Sequence, residues 1–132
     1  MNPETSLGCE FAVASQLFFK GYYASITLKN YPRTDIFAVN LKTGKSVALN
    51  VRAVGTEKVF PKSDDDGITK VFVDAHDTKS LKFYVVPSKQ EVGLFNKIKR
   101  ELESEGKKAN HFVTCDFSYL REYEDKWDLM GI

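Results

Sequence analysis

Four polar side chains stand out because their types and positions could hold a cation or a phosphate group. Glu10 lies in the first predicted helix, and Asp35, Asn50 and Arg52 lie in two predicted strands that follow it. Carboxylate and amide oxygens are ligands that Mg²⁺ and Ca²⁺ accept, whereas a guanidinium can bind phosphate oxygens through two parallel hydrogen bonds. The four side chains form one polar site if the fold brings them together.

The first helix is predicted over residues 4–20, with Thr5 or Ser6 as its N-cap and Gly21 as its stop. Its apolar residues recur at spacings of three and four, at Leu7, Phe11, Ala14 and Phe18. On a helical wheel of about 100° per residue, Glu10 falls inside the arc that these residues define. A carboxylate there must be paired, protonated or bound to something, because its burial alone is costly. The alternative is that Glu10 lies at the rim of the arc and pairs with a lysine.

Two adjacent strands, predicted over 35–41 and 46–54, carry the other three side chains. Alternation along the second strand sends Asn50 and Arg52 to the same face. In an antiparallel pair the start of one strand lies opposite the end of the other, so Asp35 can approach them. The alternative is an ordinary solvated sheet face with an Asp–Arg ion pair.

The remaining pattern predicts a single α/β domain over residues 1–132, with a central mixed β-sheet (an antiparallel meander plus further strands) flanked by helices. Further elements are strands over 22–29, 71–75, 81–86 and 111–115 and a second helix over 88–105. Ser88 and Glu91 are expected to form a capping box at the start of this helix. The loop over 55–67 contains three consecutive aspartates, which lack the alternate spacing of a Ca²⁺ loop and are expected to form a solvated turn.

Composition limits the classes of partner. The chain has 19 Lys and Arg against 18 Asp and Glu, so nucleic-acid binding would have to come from a local basic patch. Candidates for such a patch, with a solvated helix face as the alternative, are Lys97, Lys99, Arg100, Lys107 and Lys108.

Cys9 and Cys115 lack metal-ligand spacing and are expected to be buried thiols. No apolar run is long enough to cross a bilayer, so we expect a cytoplasmic protein without a membrane partner.

Several segments, in this order, resemble the PD-(D/E)XK nuclease superfamily, and in particular its branch around Holliday-junction resolvases and small restriction endonuclease-like proteins. The segments are Gly8–Val13, Gly21-Tyr22, Asn30–Ala38, Val47–Arg52 and Phe83–Ser88, followed by the tail with Trp127. In that branch a helical Glu is followed by a Gly-aromatic pair, an Asp-Ile/Leu-x-Ala strand and a Glu/Gln-x-Lys strand. The likeness covers most of the chain and implies a restriction endonuclease-like fold that acts on DNA.

The resemblance also implies a role for each of the four side chains. Glu10 matches the helical Glu that supports the metal, Asp35 matches the ligand Asp, Asn50 stands at the Glu/Gln position and Arg52 at the Lys position. The implied site holds Mg²⁺ or Mn²⁺ through Glu10, Asp35 and Asn50, and uses Asp35, Asn50 and Arg52 in catalysis. However, Asn50 offers only an uncharged oxygen on a short stem, and Arg52 stays protonated. These two exchanges weaken the metal site and proton transfer, whereas phosphate binding could survive.

Three functions are compatible with these observations. The first is a Mg²⁺-dependent DNA endonuclease, and the second is a DNA-binding module that kept the nuclease fold and lost its chemistry. The third is a protein-interaction role, with the loop over 55–67 and the aromatic tail as contact surfaces and the partner unknown. The resemblance further implies a homodimer, because family members of this size often pair to act on two strands.

Overall fold

The structure, a computed structural model, describes residues 1–27, 33–108 and 113–132. The described α-helices and strands are α1 (Pro3–Phe19), β1 (Tyr23–Ile26), β2 (Ile36–Val39), β3 (Ser46–Val54), β4 (Thr69–Asp74), β5 (Lys82–Val86) and α2 (Ser88–Ser104). Two 3₁₀ helices, Phe117–Tyr123 and Trp127–Met130, follow them. Both predicted helices and the first five predicted strands are therefore confirmed.

Two predictions extend beyond the described ranges. The last two residues of the strand predicted over 22–29 lie outside them, as do the first two residues of the strand predicted over 111–115. In the described part of that last segment, Cys115 forms an isolated antiparallel bridge with Val59.

The five strands form one sheet in the order β1-β2-β3-β4-β5. β1, β2 and β3 are antiparallel neighbours, β3 and β4 are parallel, and β4 and β5 are antiparallel. A tight hairpin cannot join parallel neighbours, so the segment over 55–68 returns the chain to the start of β4. The predicted fold class, a mixed sheet flanked by helices, is confirmed.

Each face of the sheet has its own apolar core, because alternate residues of a strand point to opposite faces. The core on the α1 side contains Cys9, Val13, Ala14, Leu17, Ile36, Leu49, Val71, Val85 and Trp127, with Val51 packed against it. The core on the α2 side contains Val59, Phe72, Tyr84, Val86, Leu94, Phe95, Ile98 and Leu120. Since Leu49 and Val51 face α1, Asn50 and Arg52 project from the α2 side.

The buried face of α1 is not the predicted one. The predicted stripe is largely exposed, with Leu7 37%, Phe11 57% and Phe18 49% exposed, and only Ala14 of the four is buried. The helix packs instead through Cys9, Val13, Ala14 and Leu17. Both sets have helical spacing, so periodicity alone could not choose between them. The sheet accepts the stripe made of the smaller side chains.

α1 begins after Asn2, just before the predicted start, and ends before Gly21, the predicted stop. The N-cap is Asn2, not Thr5 or Ser6, because the side chain of Asn2 accepts a hydrogen bond from Thr5 N at 2.8 Å. Gly21 adopts a φ of 91° directly after the helix. A residue without Cβ is suited to this left-handed conformation, so Gly21 is confirmed as the stop.

The capping box predicted for α2 does not form. The N-cap is Pro87, whose side chain has no hydrogen-bonding group, and Ser88 is already helical. Ser88 Oγ donates to Asp66 Oδ1 at 3.2 Å, and Glu91 Oε2 accepts from Lys62 N at 2.9 Å. Both side chains thus hold the 55–68 segment against α2 instead of capping their own helix.

Candidate functional site

Asp35, Asn50 and Arg52 come together as strand alternation predicts. Asp35 immediately precedes β2, which is the antiparallel neighbour of β3. Asn50 Nδ2 donates to Asp35 Oδ2 at 3.0 Å, and the backbone N–H of Val51 donates to the same oxygen at 2.7 Å. Arg52 Nε donates to Asn50 Oδ1 at 2.6 Å. The result is one half-buried chain of hydrogen bonds from the carboxylate through the amide to the guanidinium.

The chemistry of the two neighbours fixes the orientation of the Asn50 amide. An ionised carboxylate can only accept hydrogen bonds, and a guanidinium can only donate them. The NH₂ group must therefore face Asp35 and the carbonyl oxygen must face Arg52, as observed. Hydrogen bonds to charged groups are the stronger class, at about 1.5–3 kcal/mol each. Asn50 is thereby locked between an anion and a cation.

Arg52 retains donors that this chain of hydrogen bonds does not use. Its Nε contacts Asn50, and none of the described residues accepts a hydrogen bond from its two Nη groups. The side chain is half-buried. A planar guanidinium presents its free N–H groups as a fork that matches two oxygens of a phosphate. The arrangement can therefore bind an oxyanion at the surface of the sheet.

The same arrangement does not fit a divalent metal. Mg²⁺ requires oxygen ligands in near-octahedral geometry and is bound chiefly through carboxylates. Here Asn50 turns its donors toward Asp35, its only side-chain oxygen is engaged by a guanidinium, and Asp35 Oδ2 already accepts two hydrogen bonds. Within the described ranges, no three or more His, Cys, Asp or Glu side chains are grouped as a metal site requires. The formal charges of Asp35 and Arg52 cancel, so the trio has no net negative charge with which to attract a cation.

Glu10, the fourth predicted residue, lies on α1 and is half-buried beside Cys9. It remains inside the buried arc of the helix even though the arc differs from the predicted one, because it lies between Val13 and Ala14 on the wheel. Its helix packs on the face of the sheet opposite to Asn50 and Arg52. Its role as a metal ligand stays a prediction.

Lys70 is a polar residue of this face that sequence reasoning missed. It is the register partner of Asn50 on the neighbouring strand β4, so Asp35, Asn50 and Lys70 form a row across three strands. Lys70 is only 1% exposed. The available signal was a lysine inside the run from Ile68 to Val73, whose five other residues are apolar or β-branched, which is typical of a buried interior strand.

Two acidic side chains surround the ammonium group of Lys70. Its Nζ lies 2.7 Å from Asp66 Oδ1, 2.8 Å from Asp66 Oδ2, 3.0 Å from Ile68 O and 3.2 Å from Glu91 Oε1. The side chains of Asp66 and Glu91 are 2% and 1% exposed. The prediction of a solvated turn is therefore wrong for Asp66, although Asp64 and Asp65 are exposed.

The pKa of Asp66 is held well below its ordinary value by this environment. Burial disfavours the charged carboxylate, but this effect is outweighed by the hydrogen bonds from Lys70 Nζ, Ile68 N and Lys62 Nζ together with the charge of Lys70. We call Lys62, Asp66, Lys70 and Glu91 the buried charge cluster. Its hydrogen bonds and ion pairs connect the 55–68 segment, β4 and the first turn of α2.

The two cysteines are buried and free, as predicted. Burial and the nearby charge of Glu10 raise the pKa of the Cys9 thiol. Burial and the charge of Asp116 raise the pKa of Cys115 to about 12. Thiols that stay protonated at neutral pH are poor nucleophiles, so neither cysteine is a candidate for covalent catalysis.

The sheet order and the helix on each face are those of a restriction endonuclease-like fold, the fold of the PD-(D/E)XK nucleases, and the predicted resemblance is confirmed at the level of the fold. The chain is similar to the structure of Hjc, a Holliday junction resolvase from the archaeal hyperthermophile Archaeoglobus fulgidus. The TM-score is 0.57 and the sequence identity 13%, over 96% of each chain. No protein-family model matches the sequence, and no curated protein matches it significantly.

None of the helices in the described ranges is long and apolar enough to span a bilayer. The cytoplasmic location predicted from the sequence stays a prediction.

Proposed function

We propose that the protein binds the phosphate backbone of DNA through Arg52, on a nuclease fold whose polar trio no longer holds a catalytic metal. The observation that carries the proposal is the closed hydrogen-bond chain, in which Asn50 connects Asp35 to Arg52 and leaves the Nη groups of Arg52 directed at no described acceptor. An aspartate, a glutamate and a lysine at these positions would carry a net negative charge that favours a cation. The observed set is neutral and presents a cation of its own.

The basic residues near α2 support DNA as the ligand. α2 covers the same face of the sheet from which Arg52 projects. Lys97, Arg100, Lys107 and Lys108 are exposed. Lys97 lies over the ring of Tyr119 at 5.8 Å and Lys107 pairs with Glu105 at 3.3 Å, so these contacts leave both cations accessible to solvent. Phosphate contacts by exposed lysines supply sequence-independent, salt-dependent affinity.

The test is fluorescence anisotropy with labelled duplex, single-stranded and four-way-junction DNA, in EDTA, at salt concentrations between about 50 and 200 mM. We expect binding that weakens steeply with salt. Arg52→Gln should weaken binding about tenfold and reduce the slope of log K against log salt by about 1, because one phosphate contact is lost. Arg52→Lys should keep the slope but lose affinity, because a lysine lacks the planar fork.

Lys20→Gln is the matched control, since it removes one exposed positive charge at the end of α1, the helix on the opposite face. Its affinity and slope should equal those of the wild type. The proposal fails if the wild type does not bind any of the three DNA forms at low salt, or if Arg52→Gln and Lys20→Gln behave alike.

Metal-dependent cleavage of DNA, as predicted from the sequence, is the second candidate function. It is favoured by the similarity to a Holliday junction resolvase along 96% of the chain. Its test is incubation of the same three DNA forms with Mg²⁺ or Mn²⁺. We expect no cleavage above that of a buffer control. Cleavage that Asp35→Ala abolishes would establish the enzyme and overturn the claim that the trio holds no metal.

A further inference from the structure

The core on the α2 side covers only half of the sheet face that carries Asn50 and Arg52. Among the described residues, this core takes its strand members from β4, β5 and the end of β3, and none from β1 or β2. Strand alternation places further residues on the same face, because their chain neighbours Ala24, Ile36 and Leu49 pack on the α1 side. We call this part of the face the outer half-sheet, and its residues are Tyr23, Ser25, Phe37, Val39, Ser46 and Ala48.

A phenylalanine lies at the centre of the outer half-sheet, between two small neighbours. Phe37 of β2 is half-buried, and its register partners are Ser25 on β1 and Ala48 on β3. The Cβ atoms of such partners lie about 5 Å apart in an antiparallel pair. The side chains of serine and alanine extend less far from a sheet than an aromatic ring does. The ring therefore has low neighbours on both sides, which leaves room for a flat ligand.

The guanidinium proposed to bind phosphate is held near this ring on the same face. Arg52 donates from its Nε to Asn50 Oδ1 at 2.6 Å, which anchors the side chain at the position of Asn50. Asn50 is two residues along β3 from Ala48, the register partner of Phe37, and two residues of a strand span about 7 Å. A single nucleotide can bridge this distance between its phosphate and its base. The face thus combines a cation and an aromatic ring at the spacing of one nucleotide.

We propose that the DNA bound by Arg52 is an unpaired strand, one base of which stacks on Phe37 across the outer half-sheet. This inference rests on the proposed binding of phosphate by Arg52 and specifies its ligand. The bases of an unpaired strand expose their flat faces, which stack on aromatic side chains regardless of sequence. A duplex presents only its phosphates and the edges of its bases. The charges agree, because the outer half-sheet is uncharged where the bases would lie and the cation stands at its end.

The test is fluorescence anisotropy with a labelled single strand and with the matching duplex, in EDTA and at several salt concentrations. We expect the single strand to bind about tenfold more tightly than the duplex at equal salt. Phe37→Leu keeps an apolar side chain but removes the flat ring, so it should weaken binding of the single strand about tenfold and leave binding of the duplex unchanged. Its slope of log K against log salt should equal that of the wild type, because stacking releases no counterions.

Two variants control for effects on the fold. Phe37→Tyr retains an aromatic ring and should bind the single strand as the wild type does. Phe11→Leu is the matched control, because it also removes a partly exposed ring (57% exposed) but on α1, at the opposite face of the sheet. It should bind both forms of DNA like the wild type. Arg52→Gln should differ from all of these, since it should weaken both forms and reduce the salt slope.

Phe37→Trp measures the stacking directly. Trp127 is 3% exposed, so the fluorescence of the wild type provides the baseline. The added indole should be quenched when the single strand binds and should not respond to the duplex. The proposal is overturned if Phe37→Leu does not weaken binding of the single strand more than binding of the duplex, in which case phosphate binding by Arg52 still stands. Absence of binding to every form of DNA would instead overturn the proposed function, and this inference with it.

Discussion

At the scale of single residues, the direction of one amide separates a metal site from an anion site. In the nuclease pattern that the sequence resembles, the position of Asn50 supplies an oxygen that points at an ion. Asn50 instead points an NH₂ group at Asp35 and gives its oxygen to Arg52. Because an amide carries both a donor and an acceptor, it can occupy the place between an anion and a cation that a carboxylate could not.

The double substitution Asn50→Glu with Arg52→Lys should therefore convert the anion site into a metal site. Without metal, the new carboxylate beside Asp35 replaces a hydrogen bond by repulsion, and the free energy of unfolding should fall by about 1–3 kcal/mol. With Mn²⁺ the melting temperature should rise with concentration, because an ion that binds only the folded state stabilises it. Thermal melts of wild type and variant with and without Mn²⁺ measure both effects.

The wild type is the internal control, and its melting temperature should not respond to Mn²⁺ beyond the response to KCl at equal ionic strength. Adding Asp35→Ala to the double variant should remove the response. Equal responses of the wild type and the double variant would contradict our account of Asn50.

At the scale of elements, the sequence predicted what depends on local pattern and failed where distant segments compete for a side chain. Strand alternation placed Asn50 and Arg52 correctly, since period two leaves no choice of face. The spacing of Ser88 and Glu91 fits a capping box for α2. However, Glu91 accepts a hydrogen bond from Lys62 N and Ser88 donates one to Asp66, so both side chains bind the buried charge cluster instead. Such a cluster joins residues up to 29 positions apart, which no local pattern can reveal.

The buried charge cluster should dominate the stability of the segment over 55–68. Lys70→Met would leave the buried Glu91 carboxylate without its cation and Asp66 with only the partly exposed Lys62, and we expect a loss of about 3–5 kcal/mol. Lys62→Met removes a partner of the same Asp66 carboxylate, but Lys62 is 30% exposed, so its loss should be at most about 1 kcal/mol. Urea unfolding at pH 7 measures both. Equal losses would show that burial of the cluster does not control its energetics.

Acid should weaken the fold through Asp66. Its pKa is lower in the folded protein than in the unfolded chain, so ionised Asp66 stabilises the fold above the unfolded value of about 3.9, and this stabilisation is lost as the pH falls below it. Asp66→Asn should lower the free energy of unfolding at pH 7 and flatten its decline between about pH 5 and 2. Urea titrations across this range give the slope. An unchanged slope would assign the acid sensitivity to other carboxyls.

At the scale of the whole molecule, the two cores cannot separate because the same strands build both. In β4, Val71 and Val73 face α1 while Phe72 faces α2. In β5, Val85 and Tyr84 divide in the same way. Loss of either helix would expose one face of every central strand, and a sheet exposed on an apolar face is not stable alone. The domain should therefore unfold in one step.

Trp127 offers a direct test of this cooperativity. It is the single tryptophan of the chain, is 3% exposed and packs near Phe83 in the core on the α1 side. Leu120 is fully buried in the core on the other side. Leu120→Ala should cost about 2–5 kcal/mol, and its urea midpoint followed by Trp127 fluorescence should fall as far as the midpoint followed by circular dichroism. If the fluorescence midpoint stayed at the wild-type value while the other fell, the two faces of the sheet would be separate folding units.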